Sequence, residues 1–460
     1  IEADNNKLYV GTEAGLYIMD IADETFEKVE NTTADNFKIT YTVTTIFKDN
    51  RGNIWIGTFD GLTKYNKQEK RFIRHKKKEH DKSLTHSSIW SLYCDDQGTI
   101  WAGTYFGGIN YLNPEKRVYY EYVTSTKEND GLSSGIICRM TEDKDSNLWI
   151  CTEGGGLNKY NRKNHTFQWY KHNSKQNSIS HNNVKAIYYD REHQTLWLGT
   201  HLGGLNKMDI KTGYFTHYKY SKEDTTSIPS NIISDIIPYN DYLLLATHNG
   251  IGVFNPQNGR CRPLLQNADD AAITKFTIGL LIDHLGILWI TNNHNGVCAY
   301  NFETKELSVY KHYHSIEHSL SSNHINSIYE DSQGKLWFCT NESGIDLYHR
   351  ETNLFENFNV LQNGLSSNLV YNVCEVDSNK ILITTDKGIS ILDYQTKKCT
   401  NYTNLPLVSL KENALYRTKD NEFFVGGVSG MISFTQNSTK AFSRTYKLFP
   451  SRLTVNEQEI

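Results

Sequence analysis

One pattern recurs along the whole chain: Asp-x-x-Gly-x-Leu/Ile-Trp-Ile-Gly-Thr, then two or three residues, then Gly-Leu/Ile. Asp331-Ser-Gln-Gly-Lys-Leu-Trp-Phe-Cys-Thr340 is one copy. Strong copies also begin at Asp49, Asp95, Asp143, Asp190 and Asp283, those at Asp143 and Asp190 without the turn glycine. Weaker copies surround Tyr9-Val-Gly-Thr12, Leu244-Leu-Ala-Thr247, Leu382-Ile-Thr-Thr385 and Phe424-Val-Gly-Gly427. Aligned on the glycine of Trp-Ile-Gly-Thr, ten units fall at 11, 57, 103, 151, 199, 246, 291, 339, 384 and 426, a spacing of 42 to 48 residues. That spacing suits propeller blades of four short strands and is too long for helical repeats of about 34 residues. The expected fold class is therefore all-β, a β-propeller of four-stranded blades.

Within one unit the strands can be placed. Ile325–Asp331 reads as the inner strand, Leu336–Thr340 as the second, Gly344–Tyr348 as the third and Leu354–Phe358 as the outer one. Trp, Ile, Val, Tyr and Phe fill these runs, as half-buried pleated surfaces favour. The Ser-Gln-Gly between the first two is a hairpin turn in which glycine supplies positive φ. The glycine of Trp-Ile-Gly-Thr is expected to let neighbouring blades approach closely, and since Cys151 and Cys339 replace it, small size is what the position requires. The Asp-x-x-Gly loop lacks the further acidic ligands of a calcium site, so a plain turn is expected.

A closed ring removes exposed sheet edges. Seven is a common closure number, and the preferred parsing is three leading units, residues 1–112, left from a preceding propeller, then a seven-bladed ring over residues 113–440. A single larger ring of ten repeats is the alternative. Residues 441–460, where the repeat stops, read as the start of a different β domain. Because the chain opens inside a repeat, a fragment of a longer protein is expected.

With a formal net charge of −4, no global basic field points to nucleic acid. No apolar run approaches the roughly 20 residues of a membrane helix. The eight cysteines are scattered and read as buried free thiols. The one basic cluster, Arg71–His80, reads as a solvated connection. His312, His314 and His318 are the nearest thing to a histidine cluster, but nothing fixes ligand geometry there, so neither a metal nor a cofactor is expected.

Function is sought at one mouth of the channel. Strands alternate in direction, so the loop after Trp-x-x-Thr and the start of the inner strand open on the same face, opposite the Asp-x-x-Gly turns. The loops place there Tyr105 and Phe106, Glu153, His201, His248, Asn292 and His294, Asn341 and Glu342. The inner strands add Trp90 and Ser91, Cys138 and Arg139, Lys185 and Ala186, Ser234 and Asp235, Asn326 and Ser327, Tyr371 and Asn372. From these, the candidate ligand-binding set is Trp90, Tyr105, Arg139, Glu153, Lys185, His201, Asp235, His248, Asn292, His294, Asn326, Asn341 and Tyr371. Aromatic faces suit sugar C–H groups, and Asn, Asp, Glu and His suit hydroxyls. Arg139 and Lys185 would suit a carboxylate or sulfate, unless Asp235 pairs with Lys185. No Gly-x-Ser-x-Gly, His-Glu-x-x-His or phosphate loop appears. Paired carboxylates for sugar cleavage are a matter of spatial separation, which sequence does not show. A propeller lyase or hydrolase and a protein-interaction propeller therefore stand as alternatives.

Trp149-Ile-Cys-Thr-Glu-Gly-Gly-Gly-Leu-Asn158 and the lead-in Ser319-Leu-Ser-Ser-Asn-His-Ile325 resemble the repeats of periplasmic sensor regions of hybrid two-component systems from Bacteroides-type bacteria. Phe424-Val-Gly-Gly-Val-Ser-Gly430 resembles the last blade of the second propeller in that family. Arg452-Leu-Thr-Val-Asn-Glu-Gln-Glu459 resembles the start of the β-sandwich that follows. The resemblance implies a region that binds a glycan-derived oligosaccharide, acts as a homodimer and controls polysaccharide-utilisation genes through a histidine kinase and response regulator. It implies no catalysis in this region. It also implies a periplasmic location in an inner-membrane protein, anchored by a transmembrane segment beyond this chain.

Overall fold

The computed structural model describes the chain except residues 1, 5, 29–41, 50–51, 67–70, 78–82, 96–98, 113–118, 266–273, 293–294, 404, 406, 408, 436–453, 456–457 and 460. It divides into two compact units, Ile1–Val118 and Tyr119–Ile460. Both are built of antiparallel sheets. Among the described residues, the only helical segments are Glu128–Asp130 and Val360–Asn363. The stretch expected to start a further β domain lies mostly outside the described residues, where only Thr454–Val455 and Gln458–Glu459 pair as strands.

The unit of residues 1–118 holds three sheets. The first and second have four strands each and the third has three, Ile89–Cys94, Ile100–Thr104 and Ile109–Leu112. The unit of residues 119–460 holds seven sheets of four strands, the fourth to tenth in chain order. Their inner strands begin at Ile137, Val184, Ile233, Thr277, Ile325, Val370 and Leu410. Each touches the next, and the last, Leu410–Arg417, touches the first, Ile137–Glu142. Six sheets are continuous in sequence, while the tenth takes its outer strand from Tyr120–Tyr122, paired with Met431–Thr435. A strand from the start of this unit therefore completes the sheet at its end, and the architecture is a β-propeller.

The eighth sheet matches the sequence reading closely, with strands Ile325–Glu330, Leu336–Thr340, Ile345–His349 and Leu354–Phe358. Its turn glycine, Gly334, has φ 76°, and the copies without glycine place Ser146 and Gln194 at φ 63° and 52°. The repeat aspartate has a double task. One oxygen of Asp143 accepts from the turn amides of Asp145 and Asn147 at 2.9 Å, and the other accepts from Trp149 Nε1 at 2.9 Å. Asp49, Asp95, Asp283 and Asp331 hold their tryptophans in the same way, at 2.7 to 3.0 Å. Asp190 binds His193 instead. The carboxylate fixes the turn and satisfies a buried indole N–H, so a plain turn explains the motif.

The small residue of Trp-Ile-Gly-Thr sits where sheets meet. A Cβ on Gly57 would lie 2.9 Å from Ile89 of the next sheet, and one on Gly199 would lie 2.7 Å from Ile233. Trp55, Trp149, Trp197, Trp289 and Trp337 are at most 2% exposed. Around Trp337 the next sheet supplies Val370, Val373, Ile381 and Ile383. The core is therefore divided among the interfaces between sheets. All eight cysteines are free, six of them buried.

Candidate functional site

Eight of the inner strands, those of the second to ninth sheets, carry a β-bulge near their start. Their register against the second strand slips across one residue: Thr44, Trp90, Cys138, Lys185, Ser234, Ile278, Asn326 and Tyr371. A bulge leaves one residue out of the ladder and re-aims its side chain. In the tenth sheet the slip spans Leu410 to Leu415 and extrudes Lys411, Glu412, Asn413 and Ala414. The loop after the second strand is tied to the same place by a recurring backbone bond: Glu153 N to Ile136 O, His201 N to Asn183 O, His248 N to Ile232 O, Asn341 N to His324 O. Bulge and loop therefore share one face, as strand alternation requires.

In residues 119–460 these bulges, except that of Tyr371, converge on a cavity of about 500 Å³. Cys138, Lys185, Ser234, Ile278, Asn326 and Lys411–Asn413 line it from the inner strands, and His201, His248, His324 and Asn341 from the loops. Five of the expected residues, Lys185, His201, His248, Asn326 and Asn341, thus meet in one place. Ile278, His324 and Lys411–Asn413 were not anticipated. Lys411–Asn413 lie in a weak repeat, whose extra residues between Leu410 and Leu415 were the available signal.

The other expected residues have other surroundings. Arg139 Nη1 bonds Asp235 Oδ1 at 2.5 Å, across the intervening strand that carries Ala186. Asp235 is buried and also accepts from the amides of Ile236 and Leu280, at 2.8 and 3.0 Å. Lys185 Nζ bonds Glu153 Oε2 at 2.8 Å. The expected alternative pairing of Asp235 with Lys185 does not occur, because the bulge directs Lys185 toward the loop of the preceding sheet. The Lys185 ammonium holds the Glu153 carboxyl below its usual range, so Glu153 is ionised at neutral pH. Asn292 is buried and caps its own turn, accepting from Asn295 N at 2.9 Å. Tyr371 packs against the buried cluster that contains Leu410 and does not line the cavity, and burial raises its phenol pKa. His294 lies outside the described residues. Trp90 and Tyr105 belong to the third sheet, in the unit of residues 1–118.

Lys411 has no ion pair among the described residues, whereas Arg139 and Lys185 are both neutralised. The cavity mixes amides, imidazoles, a hydroxyl and a thiol with apolar patches, and carries the ammoniums of Lys185 and Lys411 and the carboxylate of Glu412. His312 and His314 lie 3.2 Å apart, but no group of three or more potential ligands among the described residues is arranged to hold a metal. No helix among the described residues is long and apolar enough to cross a membrane. Arg74 and Lys76 of the basic segment pair with Asp60, and residues 78–80 lie outside the described residues.

Residues 39–60, 83–106 and 319–342 match the profile of the two-component regulator propeller family, so the chain carries repeats of that kind. Among solved structures, it is similar to the extracellular domain of a protein assigned as the hybrid two-component system BT3049 of B. thetaiotaomicron. The TM-score is 0.68 and the identity 21%, over 99% of this chain and 65% of that one. The extracellular domain of BT4673 from the same organism gives 0.57 and 21%, over 99% of this chain and 60% of that one. The chain thus spans less than two thirds of either. A streptogramin B lyase shares the fold at a TM-score of 0.50 and 14% identity, over 68% of this chain and 96% of that one. No curated protein sequence matches significantly.

Proposed function

We propose that this chain is the ligand-sensing part of the extracellular, periplasmic region of a hybrid two-component regulator, and that the cavity in residues 119–460 takes an oligosaccharide. The carrying observation is the convergence of bulge residues. Seven inner strands share one framework, and six of them aim residues at the cavity that differ from strand to strand. A fold needs no such diversity there, whereas a binding site does. Asn326, Asn341 and Asn413 offer both donors and acceptors, as sugar hydroxyls demand, and Ile232 and Ile278 supply apolar contact. Lys411, which forms no ion pair among the described residues, would meet a carboxylate or sulfate on the sugar, and Glu412 beside it would accept from hydroxyls.

The reading extends to the whole assembly. In this reading residues 113–440 are one closed seven-bladed propeller, residues 1–112 belong to a preceding one, and residues 441–460 begin a sandwich domain. The region works as a homodimer of a membrane-anchored protein. Ligand acts by differential binding, shifting the receptor only as far as it prefers one state, and a cytoplasmic kinase relays the change to genes for polysaccharide use. Non-catalytic binding is favoured because Glu153 and Asp235 are committed to ion pairs. Calorimetry against acidic and neutral oligosaccharides tests the reading. Lys411→Ala should weaken an acidic ligand about tenfold, a loss of roughly 1.4 kcal/mol, and chromatography should recover the ligand intact. Absence of binding across such a panel, or turnover that stops on Glu153→Gln, would overturn it.

A further inference from the structure

Trp90 and Tyr105 belong to an aromatic cluster in residues 59–106, in the unit that does not contain the cavity. Phe59 and Trp90 lie 6.1 Å apart with planes 30° from parallel. Trp90 and Tyr105 lie 5.5 Å apart at 56°, and Tyr105 and Phe106 lie 4.4 Å apart edge to face. All four rings are exposed, from 42% for Phe59 to 79% for Phe106. The tilts make a shallow cradle of ring faces rather than a flat patch.

The fold does not require rings here. At the loop position of Phe59 and Tyr105, other repeats carry Glu13, Glu153, His201, His248, Asn341 and Asp386. At the bulge position of Trp90, Thr44, Lys185, Ser234 and Asn326 serve equally well. Clustered exposed aromatics work against solubility and mark binding sites. The cluster is also rigidly mounted. Ser88 donates from Oγ to Phe59 O at 3.1 Å and accepts the Tyr105 amide on its carbonyl at 3.0 Å. Thr85 Oγ1 holds Gly107 O at 2.6 Å, and Thr104 Oγ1 takes the Gly107 amide at 3.0 Å. Preformed rings lose little entropy on binding.

The rim is polar. His86 lies 5.8 Å from Phe106, and its Nδ1 accepts the Ser88 amide, which leaves the proton on Nε2 as a donor. Ser91 follows Trp90 on the strand, and the carboxylate of Asp60 is tied to Arg74 and Lys76. Ring faces match the C–H faces of a sugar, and a hydroxyl and imidazole rim matches its edges. We propose that Phe59, Trp90, Tyr105 and Phe106 form a second glycan platform, for a neutral oligosaccharide chain laid across the rings. It stands on its own geometry and does not depend on the cavity in residues 119–460.

Tryptophan emission provides the readout: Trp90 is the most exposed tryptophan at 56%, with Trp101 at 39% and Trp169 half-buried, while Trp55, Trp149, Trp197, Trp289 and Trp337 are at most 2% exposed. The full chain is titrated with neutral oligosaccharides of gluco-, xylo-, manno-, galacto- and arabino-backbones while iodide quenching of tryptophan emission is followed. At least one should shield the emission in the parent chain and in Trp101→Ala, and calorimetry should show that Trp90→Ala or Tyr105→Ala weakens its binding about tenfold or more. Trp101→Ala, outside the cluster, controls for folding, and Lys411→Ala should leave this binding intact. Failure of every glycan to shield Trp90, or unchanged affinity in Trp90→Ala, would overturn the platform. Binding lost in Lys411→Ala but kept in Trp90→Ala would overturn it while leaving the cavity reading in place.

Discussion

Trp101 and Trp337 hold the same place in the repeat, and each donates its indole N–H to the repeat aspartate at 3.0 Å. Trp337 is 1% exposed and Trp101 39%. The difference lies in what stands beside their sheets. Trp337 is covered by the ninth sheet and by Tyr394, whose ring centre is 6.1 Å away. Among the described residues, the ring contact of Trp101 is with Tyr111 of its own sheet, and Tyr93, Ile109 and Tyr111 on the same sheet are 64% to 74% exposed. A Cβ on Gly103 would meet only Ser91, of its own sheet, whereas one on Gly57 would meet Ile89 of the next. The Trp-x-Gly element thus encodes an interface between sheets, not the core of a single sheet. In residues 119–460, cyclic contact of the inner strands gives each such interface a partner.

The sharpest way to break this comparison is to truncate both rings. Trp337→Ala should cost about 3 to 5 kcal/mol, the usual loss for a large buried aromatic. Trp101→Ala should cost about 1 kcal/mol or less, since its ring is 39% exposed. Urea denaturation followed by circular dichroism measures both. Equal losses would mean that the tryptophan is supported by its own sheet.

A smaller effect is expected at the third strand. Asn110, Asn158 and Asn206 each accept a backbone amide and donate Nδ2 to a hydroxyl, of Thr85, Ser133 or Ser180, at 2.7 to 2.8 Å. In the eighth sheet the position is Asp346, which accepts from Ser321 N and Asn357 Nδ2 but cannot donate when ionised. Burial pushes its carboxyl from 3.8 up to about 6. Between these values the folded state holds the proton more tightly than the unfolded state, so stability falls as pH rises from 3.8 to about 6. Asp346→Asn should remove that slope and stabilise the protein at pH 7 by about 1 to 3 kcal/mol. Denaturation midpoints at pH 4 and pH 7 provide the check. A variant no more stable at pH 7 would show that Asp346 is better accommodated than its burial implies.

The framework was legible in the sequence because it repeats. Strand limits in the eighth sheet, the positive φ at Gly334 and the shared face of loop and inner strand all follow from period and turn chemistry. The site was only partly legible. Alternation names two variable residues per inner strand but does not show the bulge that decides which one is re-aimed. Thus Lys185 reaches the cavity while Arg139, one step later in its own repeat, pairs with Asp235, 96 residues away. Asn292 looked like its neighbours in the loop set, yet its turn consumes it. The extruded Lys411–Asn413 lay in a repeat too weak to align.

The smallest predicted effect contrasts one bulge position in the two units. In residues 1–118 the bulge residue Thr44 donates to Gly57 O at 3.0 Å and to Ile89 O at 2.7 Å, tying the second sheet to the third. In residues 119–460 the corresponding Ser234 lines the cavity. Thr44→Val keeps the shape but removes a donor from two carbonyls, at a cost of about 1 kcal/mol. Ser234→Ala removes a similar hydroxyl at a position that lines an open cavity, so its stability should change by less than about 0.5 kcal/mol. Thermal melts of both variants against the parent chain measure the difference. A cost at Ser234 equal to that at Thr44 would show that bulge residues in both units serve the frame. A negligible cost there would mean that Ser234 is released from structural duty, unlike Asn326, whose Nδ2 donates to Val370 O of the next sheet at 2.8 Å, and such release is the condition under which a side chain can be chosen for a ligand instead.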